Sequence, residues 1–174
     1  MGNIDLHADC SRCAALCCVL LPFDKSTAFG FSKPAGVPCR NLAPDNLCTI
    51  HASLPQGFPG CIQFDCHGAG QRVVQQVFGG KSWRDDPLLM PRMEKAFRVM
   101  RKLHEAVLLL QEAARFPLTS VHEQQRQELL TALDAAKPRG EADLAAFEDA
   151  AILKEIRTFL TKLRDTPAIR QRHR

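Results

Sequence analysis

DCSRCAALCC, residues 9–18, holds four of the eight cysteines of this 174-residue chain. The other four are Cys39, Cys48, Cys61 and Cys66, and no cysteine follows them. The spacing is C-x2-C-x3-C-C, then Cys39, then Cys48-x2-His51, and finally Cys61-x4-Cys66-His67. Thiols at this density are typical either of disulfide bonds or of a bound metal. The choice between these two alternatives decides what the first half of the chain is expected to be.

The compartment favours metal over disulfides. The chain opens MGNIDLHADC, which lacks the basic segment and the apolar core of a secretory signal. The apolar run at residues 14–22 is too short to span a bilayer, so we expect no membrane association. We therefore expect a cytoplasmic protein, and in reducing surroundings clustered cysteines more often hold metal than each other. Structural disulfides remain the alternative.

The cysteines do not form a single helical site. Cys10, Cys13 and Cys17 follow one face of a helix, but Cys10 and Cys17 would then lie about 10 Å apart along its axis. Because one small metal centre does not span that distance, we expect a loop at Cys10–Cys13 and a helix that begins near Cys13. Cys17 and Cys18 point about 100° apart in a helix. Either one binds metal while the other packs, or the two serve separate centres.

Soft thiolate ligands favour an iron–sulfur cluster, zinc or copper(I). A [4Fe–4S] cluster is the first choice, because it accepts three close cysteines and a distant fourth, here Cys61 or Cys66. Zinc is the second choice, although only Cys10 and Cys13 form a clean C-x2-C pair. Cys39, Cys48, Cys66 and His51 form a second site or simply pack. The predicted metal ligands are all eight thiols: Cys10, Cys13, Cys17, Cys18, Cys39, Cys48, Cys61 and Cys66.

Metal would also explain how the first half folds. Residues 25–60 are rich in proline and glycine and predict loops, with short extended pieces at 29–31 and 48–51. Such a segment is marginal on its own apolar core. A structural metal contributes about 10 kcal/mol or more to the folding of small peptides. The apolar residues expected to shield the centre are Leu16, Val19, Phe23, Phe58, Ile62 and Phe64.

The second half predicts helices. A short helix at 71–78 ends at Gly79-Gly80, and a long one carries a buried seam: Ala96, Met100, Leu103, Val107, Leu110 and Ala114. A capping box at Ser120 and Glu123 predicts the next helix, to Ala136. A last helix is expected from Glu141 to Arg164, burying Ile152, Ile156, Phe159 and Leu163. His104, beside the seam, is expected to be partly buried and hydrogen-bonded rather than a catalytic base.

The predicted fold is therefore mainly α, with an irregular cysteine-rich metal-binding region packed on an antiparallel bundle of three to four helices. We divide the chain into the metal-binding region at 1–80, the helical bundle at 81–166 and a basic tail at 167–174. The second half is basic, with a stripe formed by Arg92, Lys95, Arg98 and Lys102. The net charge is only +4, so we interpret the stripe as a solvated helix face and expect another protein, not nucleic acid, as partner.

The joint spacing resembles the cysteine-cluster family (YkgJ-type), described as a zinc- or iron-chelating domain. More closely, DCSRCAALCCVLLPF, KPAGVPC, GFPGC, DCHGAGQRV and FGGKSWRDDP resemble the N-terminal leader domain of bacterial pentapeptide-repeat proteins. All eight cysteines find a counterpart in the family. The repeats themselves are absent here, and so is the Arg-Pro that the family commonly carries before a late cysteine. The family includes flagellin lysine methylases, whose further sequence is not recognisable here, so methyl transfer is not implied.

The expected function is that of a cytoplasmic metal-binding protein in electron transfer, redox sensing or assistance to a partner enzyme. Two alternatives remain open. One is a metal-dependent enzyme that modifies a protein or peptide side chain, which requires an open coordination position. The other is a zinc-stapled scaffold whose helices bind another protein. The sequence leaves open whether the protein is an enzyme at all.

Overall fold

A computed structural model describes residues 4–148 and 150–164 of the chain. The predicted mainly-α fold is confirmed: within these ranges the only strand-like pairs are isolated bridges, Phe23 with Lys33 and Leu42 with Cys48. The helices are α1 (Leu16–Leu20), α2 (Leu54–Gly57), α3 (Pro59–Gln63), α4 (Ala69–Arg72), α5 (Leu89–Ala113), α6 (Ser120–Ala136), α7 (Asp143–Glu148) and α8 (Ala151–Arg164). Short 3₁₀ turns lie at Cys10–Arg12 and His51–Ser53, and a π-turn at Val73–Val77 extends α4. The predicted basic tail lies outside the described residues.

The long helix α5 is the centre of the molecule. It contacts α1, α4, the π-turn, α6, α7 and α8. Its seam is buried as predicted at Ala96, Met100, Leu103, Val107 and Leu110. The prediction for Ala114 is wrong: Ala114 is exposed, and Ala113 is buried instead. The helix ends at Ala113, so its last buried residue follows Leu110 by three positions rather than four.

Helices α6, α7 and α8 each pack on α5, and α6 also packs on α8. The side chain of Thr119, not the predicted Ser120, caps α6 by accepting a hydrogen bond from the backbone N–H of His122 at 3.2 Å. The single helix predicted from Glu141 to Arg164 is wrong, because two helices, α7 and α8, occupy that range. A hydrogen bond from Ala150 N–H to the Phe147 carbonyl, 3.1 Å long, closes the end of α7. The predicted apolar face of α8 is buried.

The basic stripe of α5 faces acidic residues near and on α7. Arg92 pairs with Glu141 at 2.5 Å, and Lys102 pairs with Glu148 at 2.9 Å. These pairs are largely exposed, so each contributes little to stability. The stripe is therefore an exposed helix face, as expected, but part of its charge is neutralised within the chain.

One apolar core joins the cysteine-rich region to the bundle. Leu16 and Val19 of α1 and Val73 of the π-turn are fully buried in the same cluster as the α5 seam. Gly79 and Gly80 end the π-turn with φ of +60° and +85°, which confirms the predicted stop. None of the described helices is both long and apolar enough to cross a membrane.

Candidate metal centre

The segment that carries Cys10 and Cys13 folds as a 3₁₀ turn. Its N-cap is Asp9, whose side chain accepts hydrogen bonds from the backbone N–H and the hydroxyl of Ser11 at 3.0 and 2.6 Å. As expected, the Cys10–Cys13 segment is not α-helical, but it forms a 3₁₀ turn rather than an irregular loop. The predicted helix start at Cys13 is wrong, since α1 begins at Leu16. Ala15 has a φ of +53°, and this left-handed residue separates the turn from the helix.

Helix α1 carries the adjacent thiols Cys17 and Cys18. It buries Leu16, Val19 and Leu20 in the core, which leaves both cysteines half-buried. Their two sulfur atoms lie 3.9 Å apart, within range of a weak S–H···S hydrogen bond. That bond lowers the pKa of Cys18 to about 7 and raises the pKa of Cys17 well above its usual value. Of the two thiols, Cys18 therefore ionises first.

Helix α4 holds the segment after Cys66 against the Cys10 turn. Gln71 accepts a hydrogen bond from the Asp9 backbone N–H and donates one to the His7 carbonyl at 2.9 Å. Gln75, one turn further, donates to the Arg12 carbonyl at 2.9 Å. Gly70 leaves room for Cys13, because a Cβ at Gly70 would lie 2.6 Å from the Cys13 sulfur. The helix thus brings residues 60 positions apart into one neighbourhood.

The loops that carry Cys39 and Cys48 are tied to α1. The Cys39 backbone N–H donates to the Cys18 carbonyl at 3.1 Å. Thr49, next to Cys48, donates its backbone N–H to the Asn41 carbonyl at 2.8 Å. Burial raises the pKa of Cys48 above its usual value. Backbone hydrogen bonds therefore hold Cys39 and Cys48 near Cys18.

An aromatic cluster supports α3, which carries Cys61. Phe23 stacks on Phe29 with ring centroids 4.5 Å apart, and Phe31 meets Phe58 edge-on at 5.0 Å. Gly60 lies against the Phe29 ring, where an added Cβ would lie 2.4 Å from a ring carbon.

The apolar residues expected to shield a metal centre differ in burial. Leu16 and Val19 are fully buried, whereas Ile62 is 55% exposed. The remaining aromatic residues of the predicted shield, Phe23, Phe58 and Phe64, are half-buried.

Lys33 is a buried cation that the sequence reasoning missed. Its side chain is 4% exposed, and its ammonium group donates hydrogen bonds to the carbonyls of Val19, Pro34 and Val37 at 2.9 to 3.0 Å. No carboxylate in the described part of the chain pairs with it, and the ionisable side chains that interact with it there are the thiols Cys39, Cys18 and Cys17. Lys33 opens KPAGVPC, a loop that predicts exposure, and only its closeness to Cys39 hinted at a role.

Burial keeps most of the thiols protonated when no metal is present. It raises the pKa of Cys13 to about 12. Cys10 and Cys61 are exposed residues, but partial desolvation of their sulfur atoms still raises the pKa of both, that of Cys61 to about 11. A metal would have to displace these protons, and binding would therefore weaken as the pH falls.

The sulfur atoms of the described cysteines form no disulfide, but they do not surround a common point. All eight cysteines lie in the described ranges, and none forms a disulfide. Within these ranges, no three His, Cys, Asp or Glu side chains are already placed to hold a metal ion. The eight thiols suit a soft metal chemically, and binding would require their side chains to turn toward it.

The two histidines of the sequence pattern have separate surroundings. His51 is exposed in its 3₁₀ turn. His67 lies 3.4 Å from the Asp65 carboxylate, and its carbonyl accepts a hydrogen bond from Nδ1 of His104. Because a carbonyl only accepts, Nδ1 of His104 carries the proton. His104 is hydrogen-bonded, as predicted, but it is fully buried rather than partly buried.

Comparison with known proteins identifies a relative without an assigned activity. The chain is 46% identical over 112 residues to the uncharacterized protein YybG of Bacillus subtilis (strain 168). The match covers 64% of this chain and 40% of YybG, so the chain spans well under two thirds of that relative's length. No protein-family model and no solved structure matches the chain. The function must therefore be argued from the site.

Proposed function

We propose that the cysteine-rich region binds a metal centre, a [4Fe–4S] cluster as first choice and zinc as the alternative. The eight cysteines are the proposed ligands. Support comes from their chemistry: all eight are free, and most of them lie within electrostatic range of one another. The resemblance to zinc- or iron-chelating cysteine-cluster domains points to the same chemistry. A cytoplasmic location in a bacterial cell agrees with it, since thiols stay reduced there.

The surroundings of Lys33 carry the proposal. An isolated buried ammonium group costs several kcal/mol unless an anion compensates its charge. The neighbours of Lys33 that can become anionic are the thiols Cys17, Cys18 and Cys39. Thiolates bound to a metal would supply that negative charge permanently, whereas protonated thiols would leave the cation with its three backbone carbonyls alone. A negatively charged sulfur centre would therefore suit the buried cation.

An iron–sulfur cluster would supply reversible one-electron chemistry, which suits electron transfer, redox sensing or assistance to a partner enzyme. The residues of this chain would exclude water from it through Leu16 and Val19 and set its potential through Lys33. The partner is proposed to be a protein. Zinc would instead stabilise the fold of the same region. A scaffold protein of that kind would bind its partner without any redox response.

Anaerobic purification followed by iron, zinc and acid-labile sulfide analysis tests the proposal. Iron and sulfide in equal amounts, with a broad visible absorption that dithionite bleaches, would support the cluster. Zinc without colour would support the staple. A metal-free protein that is fully folded, by circular dichroism and by its unfolding transition, would reject metal binding altogether.

A further inference from the structure

We infer that the eight cysteines form two adjacent four-thiolate metal sites that meet at the Cys17–Cys18 pair. The turn set consists of Cys10, Cys13, Cys17 and Cys66. The loop set consists of Cys18, Cys39, Cys48 and Cys61. This inference rests on the proposed function and adds to it the number of centres and the ligands of each.

Hydrogen bonds assemble the turn set. Gln71 and Gln75 tie the segment after Cys66 to both sides of the Cys10–Arg12 turn. The Ala69 backbone N–H donates to the Cys66 carbonyl at 3.0 Å, which fixes Cys66 at the start of the same helix. Because Gly70 has no side chain, the Cys13 sulfur can lie against the helix surface. Electrostatic interactions with Cys66 and Cys10 help to raise the pKa of Cys13, and interactions with Cys13 and Cys66 help to raise the pKa of Cys17.

A different group of contacts assembles the loop set. The bond from Cys39 to the Cys18 carbonyl and the Leu42–Cys48 bridge place three of its members side by side. The fourth, Cys61, interacts electrostatically with Cys18, Cys39 and Cys48, and no turn-set thiol is among its interaction partners. Cys48 in turn interacts with Cys18 and Cys39. Most of the hydrogen bonds and electrostatic interactions therefore join thiols of the same set.

The two sets are joined through α1. Side chains of neighbouring residues in a helix point about 100° apart, so Cys17 and Cys18 can serve different centres while their sulfurs stay 3.9 Å apart. The other link is a charge interaction between Cys10 and Cys18. Four thiolates match the ligand set of a closed zinc site and of a [4Fe–4S] cluster alike. The turn set draws them from two stretches of chain, and the loop set draws them from four.

The two sites differ in their fixed charges. Cys10 of the turn set lies near the carboxylates of Asp9 and Asp65. The buried ammonium of Lys33 interacts with Cys39 and Cys18 of the loop set and, of the turn set, with Cys17. Since a cation stabilises a thiolate centre and a carboxylate opposes it, the loop set is expected to hold its metal more tightly.

Metal counting on the full chain tests the division. The probe is zinc alone, added anaerobically to reduced, chelator-treated protein, with bound metal counted by native mass spectrometry. The wild type is expected to take two zinc ions. The within-set variants C10S/C66S and C39S/C48S leave two thiols in the altered set, and each is expected to keep one ion. The cross-set variant C10S/C48S leaves three thiols in each set and is expected to keep both ions but to release both faster to a chelator. Circular dichroism checks that each variant folds, and the wild-type count decides between one and two sites if a variant does not.

The outcomes separate this inference from the proposed function. One zinc ion per wild-type chain, or loss of all zinc from both within-set variants, would overturn the two sites and leave metal binding intact. No metal in the chain, either as purified or after zinc addition, would reject the proposed function itself. A faster release from the turn set, measured with a chelator on the two within-set variants, is the further expected result.

Discussion

The indole nitrogen of Trp83 donates a hydrogen bond to the carbonyl oxygen of Ala14, 2.8 Å away. Trp83 lies just before α5, and Ala14 lies between Cys13 and the first helix. The neighbouring Arg84 adds hydrogen bonds to Asn46 at 2.8 Å and to the Ala43 carbonyl at 3.1 Å, in the loop before Cys48. The segment that leads into the bundle thus fastens both parts of the cysteine-rich region. We expect the region and the bundle to unfold together.

The Trp83–Ala14 bond should contribute measurably to stability. Ala14 is 2% exposed, so the W83F variant would leave its carbonyl buried without that donor while keeping an aromatic ring in place. The expected loss is about 1–3 kcal/mol in the free energy of unfolding, measured by urea titration with circular dichroism. V121A, at a side chain that is 70% exposed, is the control and should change the free energy by less than about 0.5 kcal/mol. Equal stability of W83F and the wild type would contradict the role of this bond.

Replacing Lys33 by methionine should weaken metal binding. The K33M variant keeps the apolar length of the side chain but removes the cation beside Cys18 and Cys39. We expect metal affinity to fall by about tenfold or more, as measured by competition with a coloured chelator. K25M changes an exposed lysine and should bind like the wild type. An unchanged affinity in K33M would mean that the thiolates do not depend on this charge.

The same variant should change the reactivity of the apo-protein. The pKa of Cys18 is lowered to about 7, first by the bond from Cys17 and also by the charge of Lys33. Without Lys33, Cys18 should ionise at a higher pH, and the midpoint of its alkylation rate against pH should rise. Mass spectrometry of the alkylated peptide identifies the thiol. A midpoint that stays near pH 7 would show that Lys33 plays no part.

Metal binding by Cys13 should require glycine at position 70. The G70A substitution should stabilise the helix by about 0.5–1 kcal/mol, because alanine loses less backbone entropy than glycine on folding. The new Cβ, however, would lie 2.6 Å from the Cys13 sulfur. We expect the variant to fold and to lose about tenfold in zinc affinity, because the sulfur must move. G57A is the matched control, since nothing lies within 4 Å of a Cβ there. Zinc titration of both variants makes the comparison, and equal affinities would argue against Cys13 as a ligand.

His104 should make the fold less stable in mild acid. Burial lowers its pKa to about 4, below the usual value of 6.5, and the neutral ring keeps Nε2 without a hydrogen-bond partner in the described structure. Between these values the unfolded chain binds a proton and the folded chain does not, so stability falls as the pH drops from about 6.5 to 4. The expected loss is about 3 kcal/mol.

The H104N variant tests this assignment, because an asparagine keeps an N–H donor for the His67 carbonyl and does not titrate. Its free energy of unfolding, followed by urea titration across the same pH range, should lose less than that of the wild type. H7Q changes an exposed histidine and should follow the wild type. If H104N and the wild type decline in parallel, the pH dependence arises elsewhere.

Much of the helical half was predictable because helix periodicity is a local property. The apolar spacing in α5 and α8 located their buried faces, and Gly79-Gly80 located a stop. The errors lie at boundaries, where a single residue decides. Ala15 adopts a left-handed φ that nothing in its side chain requires, and the helix expected at Cys13 begins at Leu16 instead.

Composition and spacing alone specify the eight thiols and the heptad-like apolar seam. Which thiols become neighbours, and the burial of Lys33 beside them, follow from the folded arrangement of the chain. Hydrogen bonds between the turn and the side chains of Gln71 and Gln75 bring the Cys66 segment near Cys10, and a backbone hydrogen bond joins Cys39 to Cys18. Loops rich in proline and glycine carry no periodic signal of their partners, because their packing depends on long-range contacts alone.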